Sequence, residues 1–174
     1  PSHPIRRSEP APIRKARLRI RRAKASGTTD VALCNLELTS NQLETLEHEI
    51  CGLRAMTLLD LSKNNLTSLP EFVCDLKRLQ HLWIDHNRLR ELPAAISRLT
   101  SLRQLSAHNN RLATLPVSIG SLPRLDWINL AANRIMTLPQ SLSRLPRLKV
   151  LCLHQNRLAT IPPVVFDCVR LETL

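Results

Sequence analysis

The stretch from Met56 to Arg78, MTLLDLSKNNLTSLPEFVCDLKR, decides the fold of this chain. Within it Met56, Leu59 and Leu61 precede Asn64 by eight, five and three residues, and Leu66, Leu69, Val73 and Leu76 follow it by two, five, nine and twelve. The same frame recurs every 23 residues around Asn41, Asn64, Asn87, Asn110, Asn133 and Asn156. A period of that length marks an array of units, none of which can bury its apolar face alone. The alternation of Leu59 and Leu61 about Asp60 predicts a short strand with its leucines turned inward and the intervening residues outward. Stacked units lay these strands side by side as a parallel sheet, and the rest of each unit returns over the core as an irregular or 3₁₀ arc. An asparagine at every rung brings two donors and two acceptor sites to the backbone groups of a buried turn.

Five units continue with Leu69-Pro70, Leu92-Pro93, Leu115-Pro116, Leu138-Pro139 and Ile161-Pro162, where proline fixes φ and stops a helix from starting early. With this step the chain resembles the intracellular leucine-rich repeat proteins built on a 23-residue L-P-x-x-I/L-x-x-L unit, the type seen in Ras-pathway scaffolds, plant Ras-group proteins and Scribble-like polarity proteins. The resemblance covers residues 31 to 174. Departures are Leu46-Glu47 in the first unit, Ala107 at the third strand position of the fourth, and Cys168 at the last apolar position of the sixth. The resemblance implies an α/β leucine-rich repeat solenoid with a parallel sheet on its concave face and an irregular convex side. It also implies a scaffold or adaptor, in small-GTPase or phosphatase signalling. Such a fold hosts unrelated functions, so it names no partner.

The sequence divides into a flexible basic tail (1–12), an N-terminal capping helix (13–27) and repeats (28–174), six full units with the start of a seventh. Ile13, Ala16, Ile20 and Ala23 fall on one helical face, and Ser26-Gly27 supplies a stop. Other readings of this Arg-rich segment are an arm for nucleic acid or an anionic membrane, and a targeting segment. At the other end Leu171 and Leu174 open a seventh unit, from which a longer natural protein, or an end docked on something, is expected. No run approaches the ~18 apolar residues of a membrane span. The five cysteines, Cys34, Cys51, Cys74, Cys152 and Cys168, form neither a zinc pattern nor disulfide caps, which points to the cytoplasm or nucleus.

Charge is unevenly spread. Residues 1–29 carry +8, residues 30–91 carry −4, residues 92–165 carry +8 and the last nine −1. Such a field steers an oppositely patterned partner within a Debye length of roughly 8 Å.

The frame also names the outward positions of the sheet. One column runs Asn35, Leu58, His81, Gln104, Trp127 and Val150; the central one Glu37, Asp60, Trp83, Ser106, Asn129 and Cys152; the third Thr39, Ser62, Asp85, His108, Ala131 and His154. Both tryptophans of the chain are here. Outward tryptophans are enriched at interface centres, so Trp83 and Trp127, with Leu58 and Val150, are the expected anchors, and His81, Asp85, Gln104 and His108 the polar rim. Asp85 and His108, with His86 and His154 nearby, offer zinc-type donors, but an open sheet has no closed tetrahedral shell. They read as a cross-strand pair, and no metal is expected. Cys152, His154 and Asn129 imitate a thiol-protease trio without a pocket or oxyanion donors. Gly27, Gly52 and Gly120 are the only glycines, so no nucleotide-binding loop can be written and no cofactor is expected.

Directly after the asparagines, Arg88, Arg111, Arg134 and Arg157 form a ladder along one rim, and Arg78, Arg124, Arg147 and Arg170 form another. Solvated arginines often serve solubility alone; the functional reading is an anionic-ligand rim of forked guanidiniums. Nucleic acid is disfavoured because the chain has no tyrosine and only Phe72 and Phe166, too few rings to stack bases. The sequence therefore reads as a non-catalytic protein–protein interaction module whose partner is acidic or of mixed charge, a small GTPase or phosphatase being the type the resemblance implies. The alternatives are the substrate-recognition region of a larger enzyme, such as a ubiquitin ligase or kinase, and an RNA- or ribosome-associated protein.

Overall fold

Six three-residue strands lie side by side in chain order, all parallel: β1 (Asp30–Ala32), β2 (Leu58–Asp60), β3 (His81–Trp83), β4 (Gln104–Ser106), β5 (Trp127–Asn129) and β6 (Val150–Cys152). The computed structural model describes residues 9–32, 40–44, 46–53 and 55–174. From β2 onward the register keeps the 23-residue step, so Leu59, Leu82, Leu105, Ile128 and Leu151 stack as one inward column, each 0% exposed. Burying one such side chain stabilises by roughly 1.5–3 kcal/mol, and the stack repeats that term at every unit. The return arcs are 3₁₀ turns at Glu71–Asp75, Ala94–Arg98, Val117–Ser121, Gln140–Arg144 and Pro163–Val165, each preceded by a proline with φ between −59 and −71. Beyond β6, Thr173 pairs in parallel with Val150. Ala107 and Cys168 fill their leucine positions as buried residues.

The start of the array corrects the sequence frame. The frame sets the first rung at Asn41, yet Asn41 lies within a short helix, α2 (Ser40–Glu44), in the chain order that follows α1 (Ala11–Ser26) and precedes α3 (Glu47–Cys51). The sheet opens at β1, where Val31 rather than Leu36 stands opposite Leu59. Two local causes account for this. Helix α1 ends on Gly27 in the left-handed conformation (φ 66), and the chain passes straight to Thr29, whose carbonyl accepts the amides of Thr57 and Leu58 (2.8 and 3.3 Å). The first unit also lacks the arc proline, so Glu47–Cys51 winds as α-helix. Asn35, Glu37 and Thr39 lie outside the described residues, as does the tail up to Ser8.

Helix α1 begins at Ala11, so Pro12 sits in its first turn rather than in a tail, at a position where its missing amide costs nothing. Ile13, Ala16, Ile20 and Ala23 are buried, and the helix contacts β1 and α3. Arg17 pairs with Glu49 of α3 at 2.7 Å.

Each asparagine from Asn87 to Asn156 ties two units together. Asn110 Nδ2 donates to Ile84 O (2.9 Å) in the preceding unit and to Ala107 O (3.1 Å) in its own, while its Oδ1 accepts the Leu89 amide (3.0 Å). Asn87, Asn133 and Asn156 repeat the pattern. The residue before each asparagine adopts positive φ although none is glycine: Lys63, His86, Asn109, Ala132 and Gln155, with φ from 51 to 57. In the first four its amide is spent on the next unit's third column, as in Lys63 N to Asp85 O (2.9 Å) and His86 N to His108 O (3.0 Å). This turn aims the side chains at the upper edge of the open face.

Candidate functional site

The open face presents the columns expected from the frame, read now from strand pairing. Leu58, His81, Gln104, Trp127 and Val150 are consecutive partners across β2–β6 and all half-buried. His81 Nδ1 donates to Gln104 Oε1 at 3.1 Å, so this pair is joined. In the central column Trp83 stands between Asp60 and Ser106 and is 36% exposed, because neither short neighbour reaches over the indole. Trp127 is half-buried between Gln104 and Val150. Two strand spacings of ~4.8 Å separate the rings laterally. Among the described residues the tryptophans make no ring contact; the one pair is His86 with His108.

Asp85 is the polar centre of the third column. Its Oδ1 accepts the Ser106 hydroxyl (3.0 Å), its Oδ2 faces His86 Nδ1 (3.0 Å) and His108 Nε2 (3.8 Å), and Ser106 Oγ also contacts His108 Nδ1 (3.0 Å). Burial pushes the pKa of His108 down; Asp85 opposes that, and His86 and His154 add to it. His108 is thus biased to the neutral form. The cross-strand pair of Asp85 and His108 is present, but Ser106 and His86 complete it. His86 was expected nearby, though its bond to Asp85 depends on the left-handed turn; the role of Ser106 was not readable from the columns, because it works sideways between strands. The Cys152, His154 and Asn129 trio is not assembled. Asn129 Oδ1 is engaged by the Ala131 amide (3.0 Å), and no hydrogen bond joins Cys152 to His154 among the described residues. Cys51, Cys74, Cys152 and Cys168 are free thiols, and burial followed by Asp75 pushes Cys74 up to about 11.

The arginine rim is held by backbone. The amides of Arg88, Arg111, Arg134 and Arg157 donate to Leu66, Leu89, Leu112 and Ile135 (2.8–2.9 Å), which spaces the side chains by one unit each. Arg111, Arg134 and Arg157 line a shallow groove of about 420 Å³ with Arg90, Ala113 and Met136. The described arginine ion pairs lie elsewhere, at Arg17 and Arg98.

Unit, sheet and rung together define a leucine-rich repeat solenoid. A leucine-rich repeat region model matches residues 31–114, and a leucine rich repeat model matches residues 123–174. Among solved structures, a leucine-rich repeat protein of Leptospira interrogans is similar at 29% identity and a TM-score of 0.72, over 86% of this chain and 44% of that one. The leucine-rich repeat ectodomain of the Arabidopsis thaliana receptor kinase GASSHO1/SCHENGEN3 is similar at 29% identity and a TM-score of 0.67, over 83% of this chain and 18% of the other. YopM from Yersinia enterocolitica is similar at 28% and 0.66, over 93% of this chain and 31% of its own. This chain spans less than half the length of each. No curated protein matches it significantly. No described helix is long and apolar enough to cross a membrane.

Proposed function

We propose that this chain is a non-catalytic interaction module of scaffold or adaptor type that holds a protein partner on the open face of the sheet, with Trp83 and Trp127 as anchors. The observation that carries this reading is the exposure of Trp83, a large ring left about one-third open to solvent in the middle of a regular sheet. Strands joined across the sheet by backbone bonds fix the main chain that carries that ring before a partner arrives, which lowers the entropy cost of binding. Leu58 and Val150 extend the apolar surface, and His81, Gln104, Asp85 and His108 give the rim its polar groups. GASSHO1/SCHENGEN3, similar in fold, is solved in complex with CASPARIAN STRIP INTEGRITY FACTOR 2, which supports a protein or peptide ligand for this architecture. Unpaired thiols favour a reducing compartment, the cytoplasm or nucleus.

Affinity capture with the wild-type chain beside Trp83→Ala and Trp127→Ala tests the reading. Truncating a central anchor costs at least ~2 kcal/mol, roughly a thirtyfold loss of affinity. The melting temperature should hardly move, since an outward ring supports little core. Unchanged capture by both variants, with loss on removing Arg111 and Arg134, would move the site to the rim.

A further inference from the structure

We infer that Asp85, His86 and His108 bind one divalent transition-metal ion of the zinc class, through Asp85 Oδ2, His86 Nδ1 and His108 Nε2. One donor atom from each residue lies within 4.8 Å of the others. Tetrahedral bonds of ~2.0–2.1 Å set donor atoms about 3.3 Å apart. The observed 3.0 Å from Oδ2 to His86 and 3.8 Å from Oδ2 to His108 bracket that value. Two imidazoles with one carboxylate suit zinc, cobalt or nickel, whereas calcium and magnesium take oxygen sets.

Hydrogen bonding around Ser106 leaves a lone pair waiting for the ion. A serine hydroxyl has one proton and a carboxylate can only accept, so the proton of Ser106 goes to Asp85 Oδ1. The contact between Ser106 Oγ and His108 Nδ1 then takes its hydrogen from the imidazole. A neutral His108 protonated on Nδ1 has a bare Nε2, and that lone pair faces Asp85 Oδ2. Two electron-rich atoms repel across this gap; a cation between them turns the contact attractive. His86 needs only a tautomeric change. Its Nδ1–H donates to Asp85 Oδ2 in the ion-free cluster, and on binding that proton moves to Nε2, where the Asn109 carboxamide turns its oxygen to accept it in place of the present 3.3 Å contact.

Two of the atoms turned away from the gap already have the partners that orient metal ligands, and the third has a carboxamide that supplies one on turning over. Ser106 holds Asp85 Oδ1 and His108 Nδ1, and Asn109 stands 3.3 Å from His86 Nε2. Backbone also fixes the geometry: His86 stands at φ 53 with its amide bonded to the carbonyl of His108 at 3.0 Å. The two rings therefore meet edge to face, with centroids 4.9 Å apart. Water fills the remaining positions on the open side.

Titrating the full chain with Co²⁺ by absorption, and with Zn²⁺ by calorimetry, tests this. The expected result is one ion per chain, with d–d bands of nitrogen and oxygen ligation and no thiolate charge-transfer band. His86→Ala, at an exposed side chain that folding does not need, should abolish the site, as should His108→Ala. Ser106→Ala should weaken binding roughly tenfold or more by releasing the ligands from their orienting bonds. His154→Ala should leave binding as it was. Absence of binding, a thiolate spectrum, or wild-type affinity in His86→Ala overturns the proposal.

Discussion

Ala132 adopts φ 53 without being glycine, as do Lys63, His86, Asn109 and Gln155. A left-handed residue with a Cβ carries roughly 1–2 kcal/mol of steric cost. The amides of Lys63, His86, Asn109 and Ala132 are held by a carbonyl of the next unit, for Ala132 that of His154 at 3.0 Å. Glycine would relieve the strain but give back about 0.5–1 kcal/mol of chain entropy. Ala132→Gly should therefore raise stability by up to ~1 kcal/mol, read as a higher urea midpoint at unchanged slope. A lowered midpoint would mean that the rung carries little strain. The turn was hidden in the sequence because lysine, histidine, asparagine, alanine and glutamine share no tendency toward that region strong enough to read. The conformation is held by bonds between units, made at Lys63, His86, Asn109 and Ala132. The asparagine ladder was legible, and so was the nearness of His86 to Asp85 and His108; the edge-to-face meeting of the two imidazoles, which that turn sets, was not.

At the scale of elements, the arcs pack against one another without a sheet to space them, and at Gly120 the approach leaves no room for a side chain. A Cβ built there would stand 2.1 Å from the carbonyl oxygen of Ser141 in the next arc. Ser97 and Ser143 occupy the same place in the repeat with side chains, so the repeat itself does not require glycine; the local approach of Val117–Ser121 to Gln140–Arg144 does. Because the obstacle is backbone, relief means moving an arc, and Gly120→Ala should destabilise by about 1–3 kcal/mol or more. Thermal melts of Gly120→Ala beside Ser97→Ala would show it; equal melting temperatures would refute the close contact. The columns of the open face were legible from period alone, since a two-residue alternation on a constant 23-residue step leaves one register from β2 on. The first strand was not. Its position depends on where α1 stops and on Thr29 reaching β2, which is tertiary geometry that a repeat frame carries no trace of.

Across the whole molecule, the proposed anchors and the arginine rim act on different stages of binding. Residues 92–165 carry +8 beside the −4 of residues 30–91, so a partner feels orientation before contact, whereas Trp83 acts once water has left the interface. Arg134→Ala should slow association and soften its salt dependence, with dissociation little changed. Trp83→Ala should chiefly speed dissociation. In a solenoid each unit contacts only its neighbours, and Trp83 lies two units before Arg134. The two free-energy losses should then add within about 0.5 kcal/mol in the double variant. Surface-binding kinetics at two salt concentrations, on the partner recovered by capture, measure all three quantities. A coupling beyond ~1 kcal/mol, or a Trp83→Ala defect confined to association, would mean that ring and rim touch one segment of the partner, and the division of labour between face and rim would fail.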